Sequence, residues 1–203
     1  HVVPEAFYRH PEIDKLNQQA YSGSWTVTKE ARAAHPEMAH LHKDFFSIYV
    51  RPPAMTRRVN DLKEYFKDHL YEFARRFDLE ILVIENALTI PLNLPLGLAI
   101  TEFIAETGYL TIAHHHDFHW ERQRFQVNCV NDYLAAAFPP TLPSIRHVVI
   151  NSIQAQQIAS RYGLAARVIP NVMDFDSPPP ASDSYSETVR ADFDIRDGEY
   201  FFL

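Results

Sequence analysis

A run of histidines follows a short apolar segment of the sequence, and its residue types could support several kinds of chemistry. The run reads His114-His115-His116-Asp117. Imidazole can position or deprotonate a hydroxyl near neutral pH. Side chains alternate along extended chain, so His114 and His116 would share a side. Three interpretations stay open at this point: a histidine-rich surface loop, a metal site, or a polar active-site surface on which Asp117 orients a histidine.

A metal site needs its donors at a recognisable spacing, and the spacing here departs from the common patterns. The hydrolytic zinc pattern His-x-His-x-Asp-His does not fit, because the aspartate comes one position early, and the chain contains no HExxH. The competing hypothesis is a metal-dependent hydrolase or sugar-modifying enzyme that uses His114, His116 and Asp117, since imidazole suits zinc, iron, copper and nickel.

Polar residues also follow two other predicted strands. Glu85 and Asn86 come directly after an apolar segment, and Asn171 and Asp174 follow another. Ligands of open parallel sheets bind beyond the carboxyl ends of the strands, so all three places are candidates for a binding site. Helix caps and plain turns are the structural alternatives, because asparagine and aspartate favour both.

The elements that must position these residues are predicted from the apolar pattern. Spacings of three and four indicate amphipathic helices, and short apolar runs indicate buried parallel strands. Helices are predicted at 59–77, 96–107, 120–137, 153–162 and 188–193, and strands at 81–84, 109–113, 147–150, 167–169 and 200–203. We interpret residues 1–55 as a surface excursion with short helices and the proline-rich residues 177–182 as a linker. The alternation predicts an α/β fold with a parallel sheet.

Composition narrows the class of protein. The 203 residues are 46% hydrophobic and 22% charged, as in soluble globular proteins, and the formal charge of −7 argues against binding to nucleic acid. No apolar run approaches the roughly 20 residues of a membrane span. The single cysteine, Cys129, fits a cytoplasmic protein. Because the chain begins at His1 and residues 200–203 read as a strand without a following turn, we expect natural sequence to be missing at both ends.

Four stretches together resemble a subgroup of family 4 glycosyltransferases. Residues 84–93 (IENALTIPLN) look like the ENALSIPxNxPLG stretch of these enzymes, and residues 112–125 (IAHHHDFHWERQRF) look like their HHHDFxWERxRF motif. Residues 149–152 (VINS) and 169–175 (IPNVMDF) are similar to two further blocks of the family. The matches come in the family's order and cover roughly residues 80–176.

The resemblance implies a two-domain glycosyltransferase-B architecture, in which each domain is a Rossmann-like parallel sheet flanked by helices. Such an enzyme would transfer a hexose from a nucleotide sugar with retention of anomeric configuration. Residues 1–176 would form the acceptor-side domain, without its first strand and loop, and residues 177–203 would be the linker and the beginning of the donor-binding domain. We expect a small soluble acceptor, no metal or other cofactor, and no activity from this chain alone. The identities of donor and acceptor and the oligomeric state stay open.

The resemblance also implies roles for individual residues. His116 is the best match to the histidine that lies against the transferred sugar, and His115 is the alternative. Asp117 is the third candidate catalytic residue. Further residues would bind the acceptor or lie near the interdomain hinge: Glu85, Asn86, His114, Trp120, Glu121 and Arg122 on the acceptor side, and Asn171 and Asp174 near the hinge. A relative that binds sugar without catalysis is the remaining alternative.

Overall fold

The computed structural model describes residues 36–172 and 184–196. They divide into two compact units, one ending at Pro170 and the other beginning at Asn171. The first unit contains five helices and four strands within its described part: α1 (Pro36–Phe45), α2 (Pro53–Phe77), β1 (Ile81–Glu85), α3 (Leu94–Thr107), β2 (Leu110–His115), α4 (Asn131–Ala137), β3 (Ile145–Val149), α5 (Ser152–Tyr162) and β4 (Ala166–Val168). The second unit contains α6 (Ser184–Asp192).

The four strands form one parallel sheet in the order β1-β2-β3-β4, which confirms the predicted α/β, Rossmann-like arrangement. Each of the first three strands is followed by a connection that returns the chain to the same end of the sheet, as parallel pairing requires. All four carboxyl ends therefore lie at one edge, where the polar residues of the sequence are concentrated.

The core lies between the sheet and the helices α2 and α3. Helix α3 carries apolar residues on most of its surface and packs against both the sheet and α2. On the strands, Leu82, Ile84 and Ala113 contact this core, while alternate residues point away from it. Helix α2 ends at Asp78, which adopts a left-handed conformation, and α3 ends at Gly108 with φ 68°. The predicted helix ends at Asp78 and Gly108 are thereby confirmed.

The predicted helix over residues 120–137 is wrong. The chain instead makes two single turns of 3₁₀ helix, His119–Glu121 and Gln123–Phe125, and only Asn131–Ala137 is α-helical. Arg122 has extended backbone between the two turns. The side chain of Asn128 accepts a hydrogen bond from Val130 N and donates one to Phe125 O, so it replaces the backbone partners that a continuous helix would use.

The interpretation of residues 1–55 as a surface excursion is wrong for α1. Leu41 and Phe45 are buried in the core, because their spacing of four residues places them on one helix face. Phe45 O also accepts a hydrogen bond from Cys129 N. Residues 1–35, the predicted linker at 177–182 and the predicted strand at 200–203 lie outside the described residues.

The other predicted elements are confirmed with shifts of a few residues at their ends, including a sixth helix that begins at Ser184. Among the helices that the structure describes, none combines the length and the apolar character needed to cross a membrane.

Gly97 in α3 lies directly beneath the buried ring of Phe138. This contact predicts that a side chain at position 97 would destabilise the fold. A Cβ at position 97 would lie 2.7 Å from Phe138 Cε1 and closer still to Cζ. Alanine normally stabilises a helix by about 1 kcal/mol relative to glycine. Overpacking a core costs roughly 1–3 kcal/mol or more, so Gly97→Ala is expected to lower the free energy of unfolding in a urea titration.

A second background tests the cause of that loss. In Phe138→Leu the smaller side chain leaves room above position 97, so the same Gly97→Ala change is expected to become neutral or stabilising there. An equal loss in both backgrounds would show that the ring of Phe138 is not what excludes a side chain at position 97.

Candidate functional site

Strand register brings the polar residues of two strand ends together. Glu85, the last residue of β1, pairs directly with His114 near the end of β2. The two side chains lie on the sheet face that points away from the α2–α3 core, and His116 follows on the same side. The structure therefore unites two of the three candidate places at one edge of the sheet.

Asn86 holds the chain segments of this edge in place. It has a left-handed backbone with φ 59°, which is uncommon outside glycine. Its Oδ1 accepts hydrogen bonds from the Thr89 hydroxyl (2.8 Å) and from His116 N (3.1 Å), while its Nδ2 donates to Asp117 Oδ1 (3.3 Å). Its own N–H donates to His114 O (2.8 Å). One amide side chain thus fixes the backbone of the histidine run against the β1 loop.

The side chains of Glu85, His114 and His116 converge at the surface. Glu85 Oε2 lies 3.0 Å from His114 Nδ1 and 3.2 Å from His116 Nε2. The two imidazole rings are 4.6 Å apart between centroids. Side-chain exposures of 59% for Glu85, 21% for His114 and 39% for His116 leave this group accessible to a ligand.

Asp117 faces a different partner. Its carboxylate accepts hydrogen bonds from the Arg122 guanidinium and from Asn86 Nδ2. The carboxylate beside His116 is that of Glu85. Asp117 is largely buried and Arg122 is half-exposed, so the pair closes one side of the site and leaves part of the guanidinium available to solvent.

His115 lies on the opposite side of β2, inside the core. It is fully buried, and its Nε2 lies 2.9 Å from Nδ1 of His147, which is 5% exposed. Burial lowers the pKa of His115 to about 3, with a further contribution from His147, and burial lowers the pKa of His147 to about 4. Both imidazoles are therefore neutral at physiological pH, and in the hydrogen bond between them one ring donates and the other accepts.

Trp120 and Glu121 hold the segment that follows the histidine run. The Trp120 ring stacks on Phe118 at 4.2 Å, and its Nε1 donates to Gln157 Oε1 at 3.0 Å. Glu121 Oε2 accepts a hydrogen bond of 2.7 Å from Phe118 N. These contacts tie the segment after the histidine run to helix α5.

Two curated relatives match this chain. It is 33% identical over 147 residues to the mannosylglucosylglycerate synthase of Petrotoga mobilis, a match covering 70% of this chain and 34% of the relative. It is 32% identical over 191 residues to the protein of the same name from Thermotoga maritima, covering 92% of this chain and 43% of the relative. Both relatives carry the same name, so the two matches agree on the kind of protein that this chain resembles. No protein-family model matches the chain.

The two matches cover only part of each relative. The chain spans less than half the length of either relative. The longer of the two matches takes in nearly all of this chain, so the shared sequence extends well beyond the histidine run.

Sequence reasoning missed Gln154, which contacts the backbone of the histidine run. It is 4% exposed, and its Nε2 donates to His116 O (2.9 Å). The available signal was its place in the first turn of a helix after β3, where Asn151 caps the helix by accepting from Gln154 N. Thr89 and His147 were missed as well, and nothing in their local sequence indicates their partners.

Of the remaining predicted residues, Asn171 is exposed at the beginning of the second unit, and Asp174 lies outside the described residues.

Proposed function

We propose that this chain is the acceptor-side part of a glycosyltransferase that moves a hexose from a nucleotide sugar to a hydroxyl of a small acceptor. The observation that carries the proposal is the group of hydrogen-bonding side chains fixed at the carboxyl ends of β1 and β2, in a chain similar to two mannosylglucosylglycerate synthases. Such ends are where open parallel sheets bind their ligands.

His116 is the residue proposed to contact the transferred sugar. Its ring is accessible, while its backbone is held on both sides, N–H by Asn86 and C=O by Gln154. Glu85 accepts from the ring and orients it. Because His115 is fully buried, its proposed role is to position the end of β2 through His147.

The proposed division of labour follows from the chemistry of retaining transfer. The sugar passes through an oxocarbenium-like state while negative charge develops on the leaving phosphate. Residues 1–176 would orient the acceptor hydroxyl, with Arg122 and Trp120 at its margin, and the sequence from 177 onward would belong to the donor-binding domain. Asn171 and Asp174 would lie near the hinge. The step requires no metal or other cofactor in this proposal.

The name of the relatives directs the choice of substrates. It describes a product that contains mannosyl, glucosyl and glycerate groups. A mannosyl nucleotide and glucosylglycerate are therefore the first donor and acceptor to be tried. Their hydroxyl and carboxylate groups suit the exposed carboxylate of Glu85, the ring of His116 and the half-exposed guanidinium of Arg122.

The competing hypothesis of a metal-dependent hydrolase uses Asp117 as a metal ligand. That hypothesis requires the Asp117 carboxylate beside His114 and His116, but the carboxylate pairs with Arg122 and Asn86. A sugar-binding module without catalysis stays as an outcome of the experiments.

Acceptor binding by the chain itself tests the proposal. Titrating glucosylglycerate into the ¹⁵N-labelled chain is expected to shift the amide resonances of residues 85–86 and 114–117. Asn86→Gly keeps the left-handed backbone accessible but removes the amide side chain, so we expect the dissociation constant to rise by about tenfold, or roughly 1.4 kcal/mol.

Asp78 provides the matched control, because it also has a left-handed backbone, with φ 48°, at the end of α2 away from the site. Asp78→Gly is expected to bind the acceptor as the parent chain does. Shifts spread evenly over the surface, or equal affinity in Asn86→Gly, would count against the proposed acceptor site.

A further inference from the structure

We propose that Glu85, His114 and His116 form a binding site for one divalent transition-metal ion of the class that prefers imidazole, such as zinc, cobalt or nickel. This set differs from the one considered in the sequence, because Glu85 from β1 takes the place of Asp117. One ligand atom from each residue lies within 4.8 Å of the others. We call these three residues the surface triad.

The spacing of the donor atoms suits a single ion. Zinc lies about 2.0–2.2 Å from nitrogen and oxygen ligands, so two ligands of a tetrahedral ion are roughly 3.3–3.6 Å apart. In the structure Glu85 Oε2 is 3.0 Å from His114 Nδ1 and 3.2 Å from His116 Nε2. Small rotations of exposed side chains are enough to admit the ion between them.

The chemistry of the donors selects the class of ion. Two neutral imidazoles and one carboxylate form the ligand set of many zinc sites that keep a position open for water or substrate. Magnesium and calcium prefer oxygen ligands throughout, so two nitrogen donors disfavour them. The Nε2 atom of His114 is buried, so Nδ1 is its one nitrogen that an ion from solvent can reach, and this is the nitrogen that faces Glu85.

The backbone holds the surface triad in place before any ion arrives. Glu85 and His114 are direct partners in the β1–β2 register. The backbone of His116 is fixed by Asn86 and Gln154. A metal site built on fixed backbone loses little conformational entropy on binding, which favours affinity.

The consequence for transfer rests on the proposed function. An ion on the surface triad would bind His116 through Nε2, the nitrogen that faces Glu85, and would hold the ring that is proposed to contact the transferred sugar. Bound metal is therefore expected to inhibit transfer, and a chelator is expected to relieve that inhibition. This distinguishes the site from a cofactor site, whose removal would abolish activity.

Metal binding by the chain alone tests the inference without any assay of transfer. Zinc is titrated into the chelator-treated chain by calorimetry, and cobalt binding is followed by its visible absorption. We expect one ion per chain at the triad, with a four- or five-coordinate cobalt spectrum. Glu85→Gln and His114→Gln are each expected to weaken binding by at least about tenfold.

His40→Gln is the matched control, since it removes an exposed histidine of α1 outside the triad. Circular dichroism of each variant establishes that it is folded. Equal affinity in Glu85→Gln, His114→Gln and the parent chain would overturn the inference, because the ion would then be held by other histidines. A parent chain that binds the acceptor but no metal would overturn this inference and leave the proposed function standing. A chain that binds metal at the triad but no acceptor would count against the proposed function alone.

Discussion

The free energy of unfolding is expected to fall by on the order of 4 kcal/mol between about pH 6.5 and pH 4.5 because of two buried histidines. His115 and His147 have pKa values of about 3 and about 4 in the folded chain, against 6.5 for an exposed histidine. The unfolded chain therefore takes up protons on these residues in a pH range where the folded chain does not. Each such histidine contributes up to about 1.4 kcal/mol per pH unit.

Stability falls with falling pH because the pKa values of both histidines are lower in the folded chain than in the unfolded chain. Well above pH 6.5 both histidines are neutral in both states and contribute no pH dependence. As the pH falls below 6.5, protonation favours the unfolded state, and the loss continues until the folded pKa values are reached. His119, whose pKa is lowered to about 4 by burial and by Arg161, acts in the same direction. Carboxylates titrate mostly below this range, so the window reports on histidine.

A double variant isolates the buried pair. His115 bonds through Nε2, which a glutamine amide can imitate, and His147 bonds through Nδ1, which an asparagine amide can imitate. His115→Gln with His147→Asn keeps a hydrogen bond but removes both titrating groups. Urea unfolding at several pH values is expected to give a much flatter dependence for the double variant. A parallel loss of stability in the parent chain and the double variant would show that the buried pair does not cause the pH dependence.

Replacing His116 by alanine is expected to lower the rate constant of transfer by about 100-fold or more in the natural protein that contains this sequence. The reason is that a hydrogen-bonding group held at a reacting sugar acts mainly on the transition state, and removing one such group typically costs that much. His116→Gln, whose amide reaches toward the Nε2 position, is expected to recover part of the rate. The melting temperature of both variants should match the parent, because the ring lies at the surface.

His40→Ala supplies the control for general effects of removing a histidine, and it is expected to leave the rate unchanged. If His116→Ala transferred sugar as fast as the parent, the proposed contact with the transferred sugar would be refuted. A similar loss in His116→Ala and His116→Gln would instead indicate that the imidazole itself is required, as in proton transfer.

The fold was largely predictable because its signals are local. The apolar spacing in α2 identifies a helix, and Gly108 and Gly163 adopt the left-handed backbone that ends α3 and α5. The interruption of the predicted helix 120–137 was missed because the side chain of Asn128 satisfies backbone groups that a helix would otherwise pair. A single side chain of this kind leaves the apolar pattern unchanged.

The site was predictable in its location but not in its pairings. Polar residues after strands indicate the functional edge, and the structure places Glu85 and His116 there. That Glu85, not Asp117, lies beside His116 depends on the β1–β2 register, which joins residues 29 positions apart. The buried pair depends likewise on the β2–β3 register, which brings His115 beside His147. Periodicity fixes which residues form a strand, but not which residue each one meets.

The most direct test of the central claim is acceptor-dependent release of nucleotide by the natural protein that contains this sequence. The protein is incubated with a panel of mannosyl and glucosyl nucleotides, with glucosylglycerate or glycerate, in the presence and absence of a chelator. We predict release with one donor that requires the acceptor, persists with the chelator, and yields a product with the donor's anomeric configuration. Acceptor-independent release, or none with any donor from a folded protein that binds these ligands, would contradict the glycosyltransferase account.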